Sequence, residues 1–137
     1  MAKKPKKMWV FSPSTTAPKV SDRTKSEIKD KVDQWLDEIL KPKHIKPPPE
    51  DKRFNYLVDI STRWHRHYFY ILGKYCCPFP NALSPDFEVK FARLEYNDLD
   101  RFNLSYFRHT GQWYELYQRL SLQECLTQID DNPVFMI

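Results

Sequence analysis

Glycine is almost missing from this sequence: 2 of 137 residues, against 11 prolines. So few glycines leave little room for left-handed turns, and so many prolines stiffen the connections. The same scarcity excludes the phosphate-cradling glycine loops and the glycine-flanked nucleophilic serine of the hydrolases. Cysteine is also scarce, and Cys76, Cys77 and Cys125 are an odd set with two adjacent members, a poor disulfide framework. No apolar run approaches the roughly 20 residues that a membrane span needs. The start Met1-Ala2-Lys3-Lys4-Pro5-Lys6-Lys7 has no apolar stretch behind it, so it does not read as a signal peptide. These absences lead us to expect a cytoplasmic protein with no membrane contact and no cofactor.

What is present is a core and an uneven charge. Hydrophobic residues make up 41% and aromatics 15%, enough for one packed domain rather than a disordered chain. The net charge of +4 is not spread evenly. Residues 1–53 hold 14 Lys/Arg against 8 Asp/Glu, whereas residues 54–137 hold 8 against 10. The basic character belongs to the first third, which favours an anionic partner there.

Residues 1–20 read as a flexible basic arm, and 21–137 as a single domain with a basic, proline-rich linker at 41–53. The arm carries Lys3, Lys4, Lys6 and Lys7, then the apolar patch Trp9-Val10-Phe11. Ser21 and Asp22 are good helix N-caps, and Ile28, Val32, Trp35, Leu36, Ile39 and Leu40 form one apolar stripe ended by Pro42. Alternation predicts a first strand at Phe54–Ile60 with Tyr56, Val58 and Ile60 inward. A long second strand, Arg63–Tyr75, follows, with Trp64, Tyr68 and Tyr70 on one face and Phe69 and Ile71 on the other. A third strand runs from Phe87 to Tyr96, its apolar phase shifting near Arg93 as at a bulge. Strands around Phe102–Tyr106 and Trp113–Tyr117 complete five. Ser121 caps a short last helix with Glu124 at the capping-box position, and Pro133–Ile137 is an apolar tail.

The expected fold class is α+β: an N-terminal helix, a five-stranded antiparallel twisted meander and a short C-terminal helix, with the helices on one face. The aromatics of the second face then need cover from the arm, a ligand or a partner in a homodimer.

The segments Lys41-Pro42-Lys43-His44 through Pro49, Phe54-Asn55-Tyr56, Phe91-Ala92-Arg93 and Arg108-His109-Thr110-Gly111-Gln112-Trp113 make the chain similar to a bacterial family of small uncharacterised proteins. The resemblance spans most of residues 20–135. It implies a domain of unknown function and brings no activity or catalytic residue.

Three constellations carry chemistry. His65, His67, His109, Cys76 and Cys77 are metal-ligand types, with His65 and His67 on one strand face, but the paired spacings of zinc sites are absent, so no metal is expected. Arg108 and His109 sit in one turn, where His109 is a candidate acid/base with Arg108, Arg93 or Lys90 as phosphate clamps, as in a small metal-independent ribonuclease. Glu88, Glu95 and Glu115 have no spacing that fixes a carboxylate pair. The third is basic and aromatic: the arm lysines, Lys41, Lys43, Lys46, Lys52 and Arg53 of the linker, then Arg63, Arg66, Tyr68 and Tyr70. Cations meet phosphates and aromatic faces stack on bases. The sequence therefore reads first as a non-enzymatic bacterial module contacting nucleic acid. The alternatives are an adaptor or subunit of a larger assembly anchored by Trp9, Phe11 and Phe135, and the Arg108/His109 ribonuclease.

Overall fold

The computed structural model describes residues 19–50, 54–78, 85–98 and 100–135. Helix α1 (Asp22–Trp35) opens on Ser21, whose side chain accepts from the Thr24 amide. A single π-helical turn, Leu36–Leu40, leads into α2 (Lys41–His44). Pro42 therefore does not end the helix. The wide turn hands the Lys41 amide to the Leu36 carbonyl, one residue further back than in an α-helix, and this takes carbonyls out of the path of the proline ring. The extended, proline-rich connection begins only at Ile45.

Five strands follow: β1 (Tyr56–His65), β2 (Tyr68–Cys76), β3 (Asp86–Tyr96), β4 (Arg101–Phe107) and β5 (Trp113–Ser121). They pair antiparallel in the order 1-2-3-4-5, the expected meander. Helix α3 (Leu122–Asp131) starts where β5 stops, on a reciprocal capping box between Ser121 and Glu124, and a 3-10 turn (Pro133–Phe135) closes the described chain.

Strand details differ from the expectation at three places. Val58 is an extra residue between the Leu57–Tyr75 and Asp59–Lys74 pairs, so Leu57 and Ile60 are buried while Val58 is exposed. The β1–β2 turn lies at Arg66–His67, with Arg66 at φ 58°, so the long second strand is split at its middle. Trp64 then pairs with Phe69 and faces the helices, away from Tyr68 and Tyr70. The β3 bulge exists but falls at Phe91, opposite Ile71 and Leu72, rather than at Arg93.

Both helices pack on one sheet face. Ile28, Val32, Leu36 and Leu40 meet Ile60, Phe69, Ile71 and Leu94, and Cys125, Leu126 and Ile129 continue the same cluster beside Phe102 and Leu104. Trp64 Nε1 donates to the Lys25 carbonyl at 3.0 Å, and Lys29 Nζ donates to Thr62 Oγ1 at 2.8 Å, pinning α1 to β1. Lys43 pairs with Asp130, tying α2 to α3. Phe135 is 2% exposed, edge-on to Phe91 and Tyr106. It belongs to the chain's own core, which corrects its reading as a partner anchor.

Candidate functional site

No helix among the described residues covers the other face of the sheet. By strand alternation it carries Arg63 and His65 from β1, Tyr68, Tyr70 and Leu72 from β2, Arg93 and Glu95 from β3, Ser105 and Phe107 from β4, and Trp113 from β5. Register brings residues far apart in sequence together here. Tyr70 lies opposite Arg93 and Phe107 opposite Trp113. The rings form a chain: Tyr68 to Tyr70 at 6.3 Å, Tyr70 to Trp113 at 5.7 Å and Trp113 to Phe107 at 5.1 Å.

The cations of the sheet fall into two groups. Arg63, Lys74, Arg101 and Arg119 reach carboxylates, Arg63 with both oxygens of Glu88 at 2.9 and 3.0 Å. Lys90, Arg93 and Arg108 reach none among the described residues and lie over rings instead. The Arg93 guanidinium carbon is 4.6 Å from the Tyr68 ring centre and 5.0 Å from that of Trp113. Lys90 Nζ lies 5.1 Å from the Phe107 ring and the Arg108 guanidinium 5.2 Å from Tyr114. Arg93 Nε is buried with no hydrogen-bond partner. Such a cation is attracted by ring faces but keeps its donors uncommitted. Burial first, and then the charge of Glu95, pushes the Tyr68 hydroxyl above its ordinary pKa, so it stays a neutral donor.

Two hollows border this track. One, of about 200 Å³, is lined by Arg63, His65, Tyr70, Leu72 and Lys90 on the open face. The other, of about 370 Å³, lies at the sheet edge, where Arg108, His109 and Lys90 converge over an apolar floor. Sequence reasoning joined Arg93 to His109; the structure sets Arg93 in the aromatic track and leaves Lys90 as the bridge between track and cleft.

The other candidates are dispersed. Lys3, Lys4, Lys6, Lys7, Trp9, Phe11, Lys52 and Arg53 lie outside the described residues. Lys43 is held by Asp130, Lys46 is exposed on the extended connection, and Arg66 is at the hairpin tip. His65 ends β1 and His67 sits in the turn, where its Nε2 is 3.0 Å from Glu95 Oε2, so they do not lie on one strand. Among the described residues no three His, Cys, Asp or Glu side chains converge on a point where a metal would sit. Glu88 serves Arg63, Glu95 serves His67 and Glu115 accepts from Gln118. Trp113 and Phe107 were missed as site residues. Their signal was the aromatic pair flanking a short turn, which places two rings side by side across a hairpin.

No helix among the described residues is long and apolar enough to cross a membrane. No curated protein and no solved structure matches the chain. One family model does, described as Domain of unknown function (DUF3024), over residues 20–136.

Proposed function

The chain belongs to the DUF3024 family, and since membership brings no activity, we propose from the geometry that it is a binding module for single-stranded nucleic acid. The open sheet face is the contact surface. One observation carries the reading: Lys90 and Arg93 lie on an aromatic track instead of on carboxylates. Bases stack on half-buried rings and phosphates take the uncommitted guanidinium and ammonium donors. The basic residues before β1 extend the electrostatic footprint, in a cytoplasmic and bacterial setting.

The test is a titration of a labelled single-stranded oligonucleotide, followed by anisotropy at several salt concentrations. We expect log affinity to fall linearly with log salt, with a slope of about −0.7 per phosphate contacted. Trp113→Ala should weaken binding by about 1–3 kcal/mol at every salt concentration. Changing Lys3, Lys4, Lys6 and Lys7 to Gln should flatten the slope. Absence of binding even at low salt would end the proposal and promote the protein-adaptor alternative.

The convergence of Lys90, Arg108 and His109 in one cleft favours a second reading, the metal-independent ribonuclease. It requires cleavage that disappears in His109→Ala, with a loss on the order of 10²–10⁴-fold. We favour binding because no carboxylate lines the cleft among the described residues to share the proton transfer with His109.

A further inference from the structure

Strand β3 is longer than its neighbour on one side. It pairs with β2 from Asp86 to Glu95, but β4 matches it only from Ala92 to Tyr96. Beyond the Phe91 bulge, β4 has ended and the Arg108–Gln112 turn stands at the step. The 370 Å³ cleft fills this notch. Its floor is apolar, formed by Tyr75, Val89, Phe91 and Val134, and its rim carries the cations Lys90 and Arg108 beside the His109 imidazole. Among the described residues no Asp or Glu lines it, and Lys90 and Arg108 lie over rings rather than on carboxylates. A site with an apolar floor and positive charge at its rim selects an anion carried on an apolar body.

The notch meets the aromatic track at the sheet edge through Lys90 and Phe107, while its floor residues Tyr75 and Phe91 lie on the helix-bearing side. Phe107 walls the cleft and touches Trp113 at 5.1 Å, and Lys90 borders both hollows. A nucleic-acid strand laid along Tyr68, Tyr70 and Trp113 reaches the notch by passing over Phe107 and round the β3 edge that β4 leaves unpaired. The volume lies near the lower end of the roughly 300–1,000 Å³ of small-ligand sites, room for one nucleotide rather than several.

We propose that the notch holds the phosphorylated end of the strand, a nucleoside monophosphate unit with its base on the Tyr75, Val89, Phe91 and Val134 floor and its phosphate among Lys90, Arg108 and His109. The inference rests on the single-strand reading of the open face and adds to it a preference for a terminal phosphate. The shared chemistry is that of a free nucleotide, so the experiment separates the two sources.

Calorimetry would compare three probes on the full chain: a short oligonucleotide with a terminal phosphate, at either the 5′ or the 3′ end, the same oligonucleotide with hydroxyl ends, and uridine or adenosine monophosphate alone. We expect one phosphorylated form to bind about tenfold or more tighter than the hydroxyl form, the effect of one charge-assisted contact or more. Arg108→Gln with His109→Gln should erase that difference between the phosphorylated and hydroxyl-ended oligonucleotides. Both residues are exposed, so the fold is expected to survive, and the melting temperature checks it. Trp113→Ala should weaken both oligonucleotides alike. Equal binding of both oligonucleotides to the wild type would overturn the notch while sparing the open face. Tight binding of the monophosphate alone, with neither oligonucleotide bound, would overturn both. Displacement of the phosphorylated strand by a short acidic peptide at equal affinity would also overturn it, as a peptide groove along the free β3 edge.

Discussion

Arg93 and Tyr68 meet with the guanidinium carbon 4.6 Å from the ring centre, at a cation that no carboxylate among the described residues reaches. Ion pairing elsewhere on the sheet shows that carboxylates are not scarce, since Arg63, Lys74, Arg101 and Arg119 each have one. A buried Nε without a hydrogen-bond partner costs the folded state desolvation, which offsets the attraction of the guanidinium to the two rings. Arg93→Met is therefore expected to leave the melting temperature unchanged or to raise it, and to weaken single-strand binding with a shallower salt slope. A large fall in melting temperature would make Arg93 structural.

Phe135 tests the opposite assignment. It lies 6.2 Å from Phe91 and 6.3 Å from Tyr106, fully inside the cluster. Phe135→Ala should cost about 3–5 kcal/mol of stability by chemical denaturation. A loss confined to partner binding, with stability intact, would restore its role as an anchor.

The start of α3 should respond to acid. The Ser121 amide, and then its side chain, hold the Glu124 carboxyl below its ordinary pKa. A depressed carboxyl pKa contributes stability above its unfolded value, and that contribution is lost as pH falls through the folded value. Denaturation curves across the acid range should show this loss, and Glu124→Gln should remove that component of the pH dependence. Ser121→Ala should cost about 1 kcal/mol at neutral pH.

The thiols should divide two to one. Cys76 and Cys77 are half-buried and Cys125 is buried. Burial, with a smaller push from Glu124, raises the Cys125 thiol to about 12. A thiol reagent at pH 8 should modify Cys76 and Cys77 in the native protein and reach Cys125 only on unfolding. A raised thiol pKa stabilises the fold below the unfolded thiol value of roughly 8.5, and that share is lost progressively as pH climbs above it. Rapid native modification of all three would contradict the buried position.

The meander and the last helix were legible because their signals are local. Ser121 and Glu124 fall three apart before an apolar run, and Asn97–Asp100 and Thr110–Gly111 punctuate the strands. The β1–β2 turn was not legible, since Arg66 adopts a left-handed φ with no glycine or asparagine to announce it. Bulges at Val58 and Phe91 broke the two-residue alternation that assigns faces. Pro42 signalled a stop because sequence patterns do not reveal a π turn. Of the site, Tyr68 and Tyr70 stood out as neighbours on one strand. Their union with Arg93 and Trp113 depends on register across four strands, β2 to β5, which only the fold supplies.

The strand order, each strand beside its neighbour in sequence, bears on how the chain reaches its native state. Every strand pair can zip from its own hairpin after closing a short loop, so little chain entropy is spent before contacts form. The costly closures are the terminal ones, α1 onto β1 and Phe135 onto Phe91, which join distant parts of the chain. Hairpin assembly should come early in refolding and docking of the two ends late. Val32→Ala and Phe135→Ala would then act mainly by speeding unfolding, while lesions in the β2–β3 hairpin would slow folding itself.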